Sequence, residues 1–130
     1  MRHLQKSAVM TVRIPGISTT FDLELSCPGM TAASLATELL LQATALSEFS
    51  VGRSGDDSCS EVRFMVMRTT SRVVYGAEFC LDGDRLLVAY FTSPADWPSA
   101  KRATACAEAF EPLFSLVHLK SNAHASVAPR

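Results

Sequence analysis

The sequence predicts an α+β domain, a sheet of four to five strands packed on one helix and followed by a C-terminal helical or wrapping extension. Three observations carry this. Apolar and polar residues alternate over Val9–Ile14 and Phe21–Leu25, the period of half-buried strands. Between residues 31 and 46 the apolar period lengthens to that of an amphipathic helix. Beyond residue 61 three more apolar runs alternate with turn-forming residues. The 130 residues suffice for one core, and a second domain would have none. With 48% hydrophobic and 19% charged residues the chain falls outside the disordered class.

After a polar lead, Met1–Ser7, the first strand places Met10, Val12 and Ile14 on one face. Pro15-Gly16 breaks it, and the second strand turns Phe21, Leu23 and Leu25 inward with Asp22 and Glu24 outward, so the two read as a hairpin. Pro28-Gly29 ends this strand. Thr31 then stands where a helix cap belongs, its hydroxyl able to satisfy a free N–H of the first turn. Leu35, Leu39, Ala43 and Leu46 form the buried stripe of that helix. Ser47–Ser60 shows no periodicity and reads as a loop.

Val62, Phe64 and Val66 mark the inward face of a third strand, with Arg63, Met65 and Met67 opposite. Thr69–Arg72 supplies a turn before a short strand at Val73–Tyr75. Leu81-Asp-Gly-Asp84 is a tight turn, because Asp-Gly tolerates positive φ, and it launches Leu86–Phe91, apolar on both sides as a central strand would be. Pro94–Pro98 stops that strand. Ala100, Ala103, Ala107 and Phe110 share a helical stripe expected to end before Pro112. The expected organisation is a lead of residues 1–7, a single domain over 8–120 with its extension from about 94, and a loose tail over 121–130.

The net charge of −1 argues against holding nucleic acid through phosphate contacts. The distribution is uneven, with +3 over residues 1–20, −6 over 21–98 and +2 over 99–130. Cys27, Cys59, Cys80 and Cys106 include no Cys-x-x-Cys pair, so no zinc site is expected, and free thiols in a reducing compartment are the default. No apolar run reaches the length of a membrane span, and the N-terminus lacks the apolar segment of a signal peptide. The acid-free start superficially resembles a mitochondrial presequence, but its removal would delete the Val9–Ile14 strand. His3, His118 and His124 have no sequence-adjacent acid, and no cysteine has a visible base. The glycines form neither a dinucleotide nor a phosphate-loop pattern, and the Asp pairs lack a complete calcium loop. No catalytic residue and no cofactor is therefore expected.

The order hairpin, helix, loop, strand, short strand, Asp-Gly turn and strong strand resembles the ubiquitin-like β-grasp superfold over residues 8–92. Within it, Phe21-Asp-Leu-Glu-Leu-Ser-Cys-Pro28, Arg85–Phe91 and Pro94-Ala-Asp-Trp97 are similar to the N-terminal domains of the BILBO scaffolds of the trypanosomatid flagellar pocket collar. The resemblance implies a mixed sheet, a C-terminal segment folded back around the domain, and a basic and aromatic patch on the open sheet face that takes a protein partner. It further implies a cytoplasmic, cytoskeleton- or flagellum-associated scaffold whose isolated domain is monomeric. Arg63 supplies a base of that patch, whereas Met65 and Met67 stand where a lysine and an aromatic are expected. Conjugation chemistry is not expected, because the chain ends Val127-Ala-Pro-Arg130 rather than in Gly-Gly. A PB1-like pairing domain is an alternative suggested by Asp82-Gly83-Asp84, and a small enzyme or cofactor carrier is another.

Strand alternation and the nearby turn group Arg63, Met65, Met67 and Tyr75 as candidate binding residues, and Tyr90 borders the same region on a last strand whose parity the sequence leaves open. Arg63 would pair with a carboxylate or carbonyl, the methionines would give adaptable apolar contact, and the tyrosines rigid rings with polar tips. The competing expectation is that Ala107, Phe110 and Phe114 cover the methionines as a second small core.

Overall fold

The structure, a computed structural model, describes residues 5–6, 12–13, 20–53 and 63–127, with side chains over 21–52 and 64–117. It is α+β. The strands are β1 (Gln5–Lys6), β2 (Val12–Arg13), β3 (Thr20–Phe21), β4 (Leu23–Ser26), β5 (Ser50–Arg53), β6 (Arg63–Thr70), β7 (Val73–Asp82) and β8 (Arg85–Ser93). The helices are α1 (Ala32–Ala45) and α2 (Ser99–Val127). Six strands form one sheet in the order β1-β4-β8-β7-β6-β5, while β2 and β3 form a separate two-stranded ribbon.

Helix α1 begins as its sequence requires, with the Ser34 N–H donating to Thr31 Oγ1 at 3.0 Å. It carries the chain from β4 to the far edge of the sheet, and a meander of three hairpins returns it to β8 beside β4. Two of these hairpins turn through residues at positive φ, which the sequence favours only at the Asp-Gly turn. Ser71 and Arg72 both adopt positive φ, as does Gly83 in the Asp-Gly turn. The strong strand β8 is central, between β4 and β7, as its two-sided apolar character predicts.

The mixed sheet implied by the resemblance is not what the described strands form, because every pairing among them is antiparallel. The reason lies in β5, inside the segment read as a loop. Its four residues pair with β6 along Ser50↔Met67 to Arg53↔Phe64, and this extra hairpin reverses the chain once more, so β8 meets β4 antiparallel. The hairpin expected near the N-terminus appears as Val12↔Phe21 and Arg13↔Thr20, but in the separate ribbon. Phe21 leaves the face shared by Leu23 and Leu25 because the chain bends at Asp22. Val9, Met10, Thr11, Ile14 and Val62 lie outside the described residues.

Both helices pack on one sheet face. Leu23, Leu25, Leu35, Leu39, Phe64 and Val66 share that core, as the alternation predicts, with Phe79, Leu86, Val88 and the buried face of α2. The C-terminal segment does dock: Phe110, Leu113, Phe114 and Val117 are buried there. Helix α2 runs through Pro112 instead of ending before it, and reaches Val127, beyond the expected start of the tail at 121. Proline costs about 3 kcal/mol inside a helix. Here it sits on the exposed side, and burial of the four flanking side chains, each contributing roughly 1.5–3 kcal/mol, outweighs that cost.

Candidate functional site

Alternation along β6 divides its residues between two surfaces. Phe64 and Val66 enter the helix-side core, and Met65 and Met67 are half-buried on the opposite face. The cross-strand partners of the methionines on β7 are Glu78 and Gly76. Gly76 in turn faces Phe91 of β8, whose ring lies where a Gly76 side chain would be. A side chain at 76 would thus displace the ring, and glycine is what lets Phe91 lie flat on the sheet.

Phe21 of the ribbon covers part of this face. Phe21 packs with Cys80, Leu87 and Ala89 as a second buried cluster. Beyond that cluster Met65, Met67, Val74 and Phe91 are half-buried side chains on the side of the sheet away from both helices. The expectation that Ala107, Phe110 and Phe114 cover the methionines is overturned, because α2 packs with α1 on the other face. Phe110 stacks on Phe49 at 5.6 Å and on Tyr90 at 6.3 Å, and Phe114 belongs to the same core.

The five candidate residues are therefore not brought together. Arg63 opens β6 opposite Cys80, and its side chain lies outside the described residues. Tyr75 and Tyr90 project to the helix side. The cause is the two-residue turn at Ser71–Arg72, which sets Thr70 against Val73 and so Tyr75 against Arg68 rather than against a methionine. Tyr75 is half-buried, with its ring 6.3 Å edge-on from Trp97, and the Lys101 ammonium sits 4.2 Å over that indole. Tyr90 is only 5% exposed, so it presents nothing to a partner.

Around Tyr90 lies a buried polar group that sequence reasoning missed. At the bend, Asp22 substitutes its side chain for strand backbone: its carboxylate accepts the Tyr90 N–H at 2.7 Å, while its own N–H donates to the Val88 carbonyl at 2.8 Å. Arg102 of α2 approaches the same carboxylate at 3.4 Å, tying the helix to the sheet. The Tyr90 hydroxyl is buried with no hydrogen-bond partner among the described residues, and burial, reinforced by Cys106 and Asp22, pushes its phenol well above the ordinary tyrosine range. Burial also raises the Cys106 thiol to about 11, and that thiol donates to the Phe91 carbonyl at 3.5 Å. A thiol so placed is protonated at neutral pH and a poor nucleophile.

On α2's flank, Arg68 donates from Nη1 to the Ala109 carbonyl at 2.8 Å and sets its guanidinium 5.8 Å from the Phe49 ring centre. Its inward position follows from the same alternation as Phe64 and Val66, so the signal was present. The Gly76–Phe91 arrangement has no counterpart signal, since nothing in the sequence aligns positions fifteen residues apart. Among the described residues no group of three His, Cys, Asp or Glu side chains could hold a metal ion, and no helix is long and apolar enough to cross a membrane. No protein-family model, curated protein or solved structure matches this chain.

Proposed function

We propose that this chain is a non-catalytic protein-interaction module of a cytoplasmic, flagellum-associated cytoskeletal scaffold, docking a partner's peptide on the sheet face opposite its helices. The observation that carries this reading is the half-buried apolar group Met65, Met67, Val74 and Phe91, left beside the ribbon on a face that neither helix covers. Methionine adapts to irregular partners, and the flat Phe91 ring offers rigid area at small entropic cost. Arg63 begins the same strand and supplies the charged contact. The ubiquitin-like reading draws support from the order of elements and the Asp-Gly turn, and departs from that superfold in its antiparallel β4–β8 pairing. Cytoskeletal association rests on the sequence motifs before α1 and after β8.

The test is the affinity of a partner recovered from a cytoskeletal extract. Arg63→Ala combined with Met67→Ala should weaken it about tenfold or more, since anchor truncations commonly cost 1–2 kcal/mol each. Leu41→Ala, on the exposed side of α1 at 58% exposure, should leave it unchanged. Equal affinity for all three proteins would refute the open face as the docking surface.

A further inference from the structure

On the helix side of the sheet, at the margin between β6, β7 and α2, Arg68, Thr70, Tyr75, Ala105, Glu108 and Ala109 line a shallow, open hollow of about 210 Å³. We propose that this hollow binds a monoanionic carboxylate, held by the Arg68 guanidinium and the hydroxyls of Tyr75 and Thr70. It stands apart from the methionine face and does not rest on the reading above.

The hollow exists because α2 presents two alanines, one turn apart, to the long side chains of β6 and β7. Small residues leave the space that Arg68 and Tyr75 border. Arg68 is held in place at two points, by its bond to the Ala109 carbonyl and by the Phe49 ring, which use one of its five N–H donors and one face of its plane. The other donors, the Tyr75 and Thr70 hydroxyls and the Glu108 carboxylate have no hydrogen-bond or ion-pair partner among the described residues. A planar fork with neighbouring hydroxyl donors matches a carboxylate, and its pre-set orientation lowers the ordering cost of binding. Glu108 decides between anions. Its negative charge on the same rim opposes a phosphate dianion more strongly than a single carboxylate charge, and leaves room for an ammonium beside it.

The carboxylate could belong to a small molecule or to a peptide terminus. N-acetylglycinate, its neutral amide and inorganic phosphate separate charge from shape when titrated into the full chain, read from the Arg68 Nε–H and the Tyr75 amide resonances. Saturable shifts with the carboxylate and none with the amide are expected, with phosphate at least about fivefold weaker. Ala105→Leu fills the hollow with a strong helix former, and Tyr75→Phe deletes one donor. Each should weaken N-acetylglycinate at least about fivefold without changing the melting temperature. Glu108→Gln should tighten phosphate relative to the carboxylate. A hexapeptide with a free C-terminus that binds more tightly than N-acetylglycinate would assign the source to a chain end, and equal affinities would assign it to a free carboxylate; either supports the site. Equal shifts with the amide, no saturation, or unchanged affinity in Ala105→Leu would overturn it.

Discussion

The two faces of the sheet are built from the same strands and serve different ends. On the helix side Val66, Phe79, Leu86 and Val88 are fully buried under Leu39, Phe110 and Leu113. On the other side Met65 and Met67, which flank Val66, and Phe91 are half-buried, and among the described residues Phe21 of the ribbon closes part of the surface over Cys80, Leu87 and Ala89. One residue step along β6 thus separates a fully buried position from a half-buried one. The difference shows how burial is divided in a small domain: the face two helices cover carries the main core, and the alternate positions of β6 stay half-buried.

The largest effects should come from the covered face. Phe110→Ala removes a ring stacked between Phe49 and Tyr90 and should cost about 3–5 kcal/mol, measured by denaturant unfolding. Leu39→Ala should cost about 2–5 kcal/mol. If Leu39→Ala melts within a degree of the parent, α1 does not pack as described. Asp22→Ala tests the join between ribbon, sheet and α2. It leaves the buried Tyr90 N–H without its acceptor and removes the part-buried contact to Arg102, and should cost about 1–3 kcal/mol. Asp22→Asn keeps an acceptor and should fall well short of that loss.

A change of similar size sharpens the contrast from the open side. Gly76→Ala forces the Phe91 ring off the sheet, and because that ring is half-exposed the cost should be about 1–3 kcal/mol. A loss near that of Phe110→Ala would mean the open face is as tightly built as the covered one. Smaller still is the removal of the Tyr90 hydroxyl. It is buried and has no partner among the described residues, so Tyr90→Phe should stabilise the chain by about 1 kcal/mol. The alkaline limb carries the same signature. The Cys106 thiol ionises near its ordinary 9.0 when unfolded but only at about 11 when folded, so the unfolded state loses its proton first. Its contribution is complete below pH 9 and is lost as pH rises through about 11. Cys106→Ala should flatten that window, while Tyr90→Phe should remove a decline beginning near pH 10, the ordinary tyrosine value.

Local patterns placed what local forces determine. Thr31 caps α1, the Asp-Gly turn has Gly83 at positive φ, and Leu35, Leu39, Phe64 and Val66 meet in the core. What escaped depends on pairing between distant segments. Nothing in Ser50–Arg53 alternates, and these residues become a strand only because β6 offers a partner edge, yet that strand fixes the direction of β8 relative to β4. Strand β7 extends to Asp82 through Gly76 and Glu78, residues depleted in strands, because Phe91 and Met65 pack across from them. The methionines were assigned to their face correctly, since alternation needs only β6 itself. Tyr75 could not be, because its face depends on the length of the turn before it and on the pairing that turn imposes.

The most direct test of the division between faces uses three methionines as reporters. Met65 and Met67 lie on the open face, and Met30 packs against the helix-side core. With methyl-labelled methionine, the spectrum of the chain bound to its recovered partner should show the Met65 and Met67 resonances shifted and broadened, and the Met30 resonance unmoved. A spectrum in which Met30 shifts while Met65 and Met67 stay in place would contradict the account.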